Sequence, residues 1–159
     1  MRNNGKSLDR AAHILLIEDN RMDIELTLDA FRERRLQNEI HVATGGQQGL
    51  DYLFGHGKHC DREAYPLPDL ILLDLKMPVI DGHEVLRQIK HDEHLKTIPV
   101  IVLTSSQEEV DRAISYANGA NSYLVKPVSF EGFMGVVQQI DSYWLTLNVP
   151  PPFEYTTQK

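Results

Sequence analysis

Leu70-Ile71-Leu72-Leu73-Asp74-Leu75-Lys76-Met77-Pro78 runs four aliphatic residues without a polar break straight into a carboxylate. Such a short continuous apolar run fits a strand covered on both faces, as in a parallel α/β sheet. Asp74 then falls at the carboxyl end of that strand, where open α/β sheets place their ligand sites. The same arrangement recurs outward along the chain. The run at 13–17 ends in Glu18-Asp19, the run at 99–103 in Thr104-Ser105-Ser106, and Tyr123-Leu124-Val125 in Lys126. Three carboxylates, hydroxyls and one lysine are therefore expected at a single sheet edge. At about 4 Å and an effective dielectric of about 20, each like-charge pair costs about 4 kcal/mol. Such a cluster calls for a positive occupant. A hard divalent cation such as Mg²⁺ suits oxygen ligands and a phosphate, and Lys126 adds a fixed positive charge. The set reads as a phosphoryl-handling site.

Strands are expected near 13–17, 39–43, 69–74, 99–104 and 121–125, with helices filling the gaps. Val110, Ala113, Ile114 and Ala117, followed by an Asn118-Gly119 stop, mark the fourth helix. Phe133, Val136, Val137, Ile140 and Trp144 mark the fifth. The first helix, at about 21–35, is less plain, because Met22, Ile24, Leu26, Leu28 and Ala30 alternate as a strand would. Its length and charge content favour a helix. Five such βα units give a doubly wound, five-stranded parallel sheet.

A chain of 159 residues with 42% hydrophobic content suits one domain with a sizeable core. The formal charge of −7 argues against a nucleic-acid surface, which relies on clustered Lys and Arg. The basic run Arg32-Glu33-Arg34-Arg35 lies late in the first helix, where it complements the helix dipole. Cys60 is the single cysteine, which points to a reducing compartment. No apolar stretch approaches the roughly 20 residues of a membrane span, and residues 1–10 lack the apolar core of a signal peptide. A cytoplasmic protein is expected.

The motifs taken together carry a resemblance. Leu16-Ile17-Glu18-Asp19-Asn20, Leu73-Asp74-Leu75-Lys76-Met77-Pro78 with Asp81-Gly82, Thr104-Ser105 and Tyr123-Leu124-Val125-Lys126-Pro127 occur in the order found in receiver domains of two-component response regulators. The chain resembles that family from about residue 12 to 144, with an N-terminal segment at 1–11 and a tail at 145–159. The resemblance implies the flavodoxin-like receiver fold, with Asp74 as phosphoacceptor. It further implies Glu18 and Asp19 as Mg²⁺ ligands, together with Asp74 and the backbone carbonyl of Lys76. The Lys76 side chain would point toward the entrance. Lys126 would pair with the phosphoryl oxygens and Thr104 would donate a hydroxyl to one of them. Tyr123 would be the aromatic that turns inward when Thr104 is drawn toward the phosphate, altering a surface on the fourth helix, fifth strand and fifth helix used by relatives for partner binding or dimerisation. A cis Lys126–Pro127 bond is also implied. The phosphoryl donor would be a sensor histidine kinase. The tail is too short for a DNA-binding domain, so a stand-alone receiver is expected. With its long loop before the third strand and its Ser142-Tyr143-Trp144-Leu145 ending, it resembles the small regulators that partner phytochrome-type kinases. Phe153 and Tyr155 would anchor the tail on its own domain or on a twin, with a disordered tail as the equal alternative.

Two other classes compete. A haloacid-dehalogenase-type phosphatase also forms an aspartyl phosphate with Mg²⁺, but such enzymes place an acid two residues after the nucleophile, and here that residue is Lys76. A receiver scaffold signalling without phosphate is the other. His56, His59 and Cys60 could ligate a transition metal, although the loop that holds them is long and polar. His91 and His94 read as a solvated helix end. Gly45-Gly46-Gln47-Gln48-Gly49 lacks the pattern and the lysine of a P-loop.

Overall fold

The computed structural model describes residues 11–33 and 38–152. Its strands β1 (Ala12–Ile17), β2 (Asn38–Ala43), β3 (Leu70–Leu73), β4 (Val100–Thr104) and β5 (Ser122–Val125) form one parallel sheet in the order β2-β1-β3-β4-β5. Helices α1 (Arg21–Glu33), α2 (Gly46–Phe54), α3 (Gly82–His91), α4 (Glu109–Ala117) and α5 (Phe130–Ser142) connect them. This is the doubly wound arrangement of the flavodoxin-like receiver fold. Alternate residues of the central strands feed two cores. Leu15, Ile17, Ile71, Leu73, Val100 and Val102 pack with Leu50, Leu53, Leu86 and Ile89 on one face. Ile14, Leu16, Leu70, Leu72, Ile101 and Leu103 pack with Phe31, Phe133, Val137 and Ile140 on the other. Each such buried side chain contributes about 1.5–3 kcal/mol relative to leaving it in water.

The expectation of strands covered on both faces holds for β1, β3 and β4 but not for β2 and β5, which are only partly buried. They are the two edges of the sheet, each with a neighbour on one side only. In α1 the strand-like alternation is overruled. Thr27, Ala30 and Phe31, spaced i, i+3, i+4, form the buried stripe, while Met22 lies exposed. Arg34 and Arg35 of the basic run fall outside the described residues, as do Phe153 and Tyr155. Helix α4 stands where its apolar spacing places it, yet Val110 and Ile114 face solvent and the buried positions are Asp111 and Ser115. The loop at 55–68 is less polar inside than its composition suggests. His59 packs against the rings of Tyr52 and Tyr65, while Arg62 donates to the carbonyls of Tyr52, Leu53 and Tyr65. His59 is thus a packing residue, and Cys60 is exposed.

The turn after β3 couples fold to site. The Asp81 carboxylate accepts from the Glu84 N–H and caps α3. Gly82 donates its N–H to the Leu75 carbonyl, so closely that a Cβ there would meet the Asp74 carbonyl oxygen and lie 2.6 Å from Leu75 Cα. These are backbone atoms of Asp74 and Leu75, which cannot yield as a flexible side chain would. Gly82→Ala is expected to destabilise the domain by about 1–3 kcal/mol or more, read as a fall in the denaturation midpoint. An unchanged midpoint would show that the turn is softer than this packing implies. Between them, Val79 has a positive φ of 68°, and Ile80 N–H donates to the Pro78 carbonyl across it. A β-branched residue in this region carries strain. The expected cis bond at Lys126–Pro127 is not found, since all described peptides are trans. Trans is the form an X–Pro bond favours by about 0.5–1 kcal/mol unless its surroundings override it.

Candidate functional site

The carboxyl ends of β1, β3, β4 and β5 converge as their sequences indicate. Glu18, one residue past β1, is 2% exposed and Asp74, one past β3, is 5% exposed. Asp19 stays at the surface. One carboxylate oxygen from each of the three lies within 4.8 Å of the others. Backbone hydrogen bonds hold this geometry: Glu18 N–H donates to the Ala43 carbonyl at 3.0 Å and Asp74 N–H to the Ile17 carbonyl at 3.0 Å. The Asn20 side chain accepts from the Asp23 N–H, in the manner of an N-cap for α1.

Lys126 projects into the cluster with its side chain 9% exposed. Its ammonium donates to Glu18 Oε2 at 2.7 Å and to Asp23 Oδ2 at 2.8 Å, and lies 3.7 Å from Asp74 Oδ1. Asp74 Oδ1 is buried and accepts no hydrogen bond from the described residues. Burial pushes the Glu18 carboxyl up to about 7; the Lys126 hydrogen bond opposes this and the charge of Asp74 adds to it. The sequence alone does not mark Asp23, which only the fold brings to Lys126.

A second polar network flanks the first. Thr104 is fully buried, and its hydroxyl accepts from the Ser106 N–H at 3.3 Å. Ser106 Oγ donates to Asp111 Oδ2 at 2.6 Å, and His83 Nε2 lies 3.0 Å from Asp111 Oδ1. The Lys76 ammonium reaches the same carboxylate at 3.1 Å, an ion pair across to α4. Tyr123 is half-buried, and its hydroxyl donates to the Ser106 carbonyl at 3.0 Å. These bonds explain why α4 buries Asp111 and leaves its apolar stripe outside: the carboxylate ties the β4–α4 loop to α3 and to the turn after β3.

The Ser106 and His83 hydrogen bonds, with Lys76, hold the Asp111 carboxyl far below the ordinary carboxylate range, against the opposing effect of burial. A folded-state value below the unfolded 3.8 means that the unfolded chain binds the proton more readily. The stability from this group is therefore present above about pH 4 and is lost as pH falls further. Asp111→Asn is expected to cost about 2 kcal/mol at neutral pH, with a flatter acid limb in a denaturation series from pH 6 to pH 2. An equally steep acid limb in the variant would remove Asp111 from the account.

Residues 14–138 match the response regulator receiver domain family. The chain belongs to that family. It is 44% identical to a probable methanogenesis regulatory protein, FilR2, of Methanothrix harundinacea over 87% of this chain and 86% of that protein. It is 38% identical to the response regulator Rcp1 of Synechocystis over 86% of this chain and 92% of the relative. A Mn²⁺-bound Rcp1 structure superposes with a TM-score of 0.79 at 37% identity, covering 89% of this chain and 99% of that one. The phosphorylated cyanobacterial phytochrome response regulator RcpA superposes with a TM-score of 0.83 at 36% identity, with the same coverage. The resemblance to small phytochrome-associated regulators is thus borne out. None of the described helices is long and apolar enough to cross a membrane.

Proposed function

We propose that this receiver takes a phosphoryl group from a phosphohistidine of a sensor histidine kinase onto Asp74, in a Mg²⁺-dependent step, and signals by a change of surface rather than by turning over a separate substrate. The observation that carries this reading is Asp74 Oδ1: a buried carboxylate oxygen, free of hydrogen bonds from the described residues, with a lysine ammonium at 3.7 Å and two further carboxylates beside it. The chemistry of that donor set fits a hard divalent cation, held by Glu18, Asp19, Asp74 and the Lys76 carbonyl. When bound, the ion neutralises the acidic cluster and the incoming phosphate.

Asp74 attacks the phosphorus in line, a P–O bond forms as the donor's P–N bond breaks, and the leaving imidazole keeps the electron pair and takes up a proton. Lys126 is within reach of the transferred oxygens, and little more than positioning and charge stabilisation is required of the protein. Water attack on the acyl phosphate resets the regulator. Thr104 donates its hydroxyl to the phosphoryl group after releasing the Ser106 N–H, and Tyr123, bound to the same residue's carbonyl, follows that loop. The outward apolar stripe of α4 lies beside this loop and is the surface on which a kinase, a downstream protein or a second copy would sense the change. That RcpA is a phytochrome response regulator supports a phytochrome-type kinase as the donor.

Incubating the chain with acetyl phosphate and Mg²⁺ is expected to add one phosphoryl group by intact mass, and chelator is expected to abolish the addition. Uptake in chelator at an equal rate would contradict the metal's role. No uptake with metal bound would contradict the phosphoacceptor reading.

A further inference from the structure

The opposite end of the sheet carries a second cluster that phosphoryl chemistry does not use. His13 on β1 pairs in register with Glu39 on β2, and His41 stands two residues further along β2, so all three side chains share one face. One donor atom from each lies within 4.8 Å of the others. His13 is five residues before Glu18, about 16 Å along the strand at roughly 3.3 Å per residue. The cluster is therefore separate from the acidic pocket.

Two buried ring nitrogens here, His13 Nδ1 and His41 Nε2, have no hydrogen-bond partner among the described residues. Glu39 Oε2 approaches His13 Nδ1 to 3.2 Å, off the line of a hydrogen bond. Buried polar atoms without partners are rare in native proteins, and each asks for a reason. Ligands about 2.0–2.1 Å from a tetrahedral zinc ion stand about 3.3 Å apart, which is the spacing of that His13–Glu39 pair. Burial, and secondarily the neighbouring His13, lower the His41 pKa. The His41 ring packs on Tyr52, itself fixed by a 2.8 Å hydrogen bond from its hydroxyl to the Pro66 carbonyl. The His13 N–H donates to Asp69 Oδ2 at 2.8 Å, which secures this end of β1. Glu39 is 62% exposed on the edge strand, which provides an entry path and room for a water as fourth ligand.

We propose that His13, Glu39 and His41 form a second metal site that takes Zn²⁺ or a similar borderline divalent cation. Two imidazoles and one carboxylate suit such ions and not Mg²⁺, which prefers oxygen. Binding there would clip the edge strand β2 to β1.

The test uses the full chain, stripped with chelator and then held in excess Mg²⁺ so that the acidic pocket is filled. Calorimetric titration with Zn²⁺ is expected to show one equivalent bound. His13→Gln and His41→Gln are each expected to weaken binding by at least about tenfold, while Cys60→Ser leaves it unchanged. Because a histidine variant can disturb the edge strand, the wild-type chain supplies an independent reading: zinc should shift the ring-proton resonances of His13 and His41 and leave those of His56 and His59 in place. Absence of zinc binding by the wild type, shifts confined to His56 and His59, or full affinity in both glutamine variants with intact melting curves would each overturn the proposal.

Discussion

Asp74→Asn is expected to abolish phosphoryl uptake while leaving the domain at least as stable as the wild type. The two effects have one cause. Asp74 and Glu18 are both buried within a cluster of carboxylates, and the charge of Asp74 helps to hold the Glu18 carboxyl up at about 7. An amide of the same shape removes the nucleophile and also removes a like charge. Repulsion of about 4 kcal/mol for a pair at about 4 Å and a dielectric of about 20 is an upper bound, since Lys126 already offsets part of it. A gain on the order of 1 kcal/mol remains, together with a Glu18 pKa nearer the ordinary glutamate value. Intact mass after acetyl phosphate and Mg²⁺ reads the first effect, and a urea melt without metal reads the second. A large loss of stability in the asparagine variant would show that Asp74 is held for folding rather than for chemistry.

Lys126→Met is expected to act in the opposite sense on stability and in the same sense on function. The ammonium is shared by Glu18 and Asp23 and stands 3.7 Å from Asp74. Without it, Glu18 and Asp74 are left buried with no cation beside them. Removing one partner from a buried ion pair typically costs about 3–5 kcal/mol. The lower part of that range applies here, because Glu18 is already raised to about 7 and protonates readily once the lysine is gone. Mg²⁺ should return part of the loss, so the gap between wild type and variant in a denaturation series narrows as metal is added. Phosphoryl uptake is expected to slow by roughly 10–100-fold, the equivalent of one hydrogen bond to a charged group at about 1.5–3 kcal/mol. A methionine variant with wild-type stability in chelator would show that the carboxylates do not need this counter-ion.

The central strands were legible because β1, β3 and β4 are covered on both faces, so their apolar runs are unbroken and the first polar residue marks the strand end. Glu18, Asp19, Asp74 and Thr104 could be read off those ends, and Lys126 off the short run Tyr123-Leu124-Val125 of the edge strand β5. The edge strands gave a weaker signal, since one open side lets polar residues such as Glu39 and His41 stand among apolar ones. Asp23 and Asp111 escaped because each lies on a helix, where a lone acid reads as solvated; only the fold brings Asp23 under Lys126 and Asp111 under Ser106, His83 and Lys76. The apolar spacing of α4 located the helix but not its inward face, which is set by that Asp111 network. The left-handed Val79 had no local signal, because glycine or asparagine would be the usual residue at such a φ.

The central claim is that the acyl phosphate forms on Asp74, and its location can be read chemically. Borohydride reduces an aspartyl phosphate to homoserine, releasing phosphate. Peptide mapping of the acetyl phosphate-treated, Mg²⁺-loaded chain after such reduction is expected to find homoserine at position 74 and at no other acidic residue. Homoserine at Asp19 or Asp23 in place of Asp74, 5-hydroxynorvaline at Glu18 (the product of a reduced glutamyl phosphate), or a phosphorylated chain with no reducible site at 74, would contradict the account.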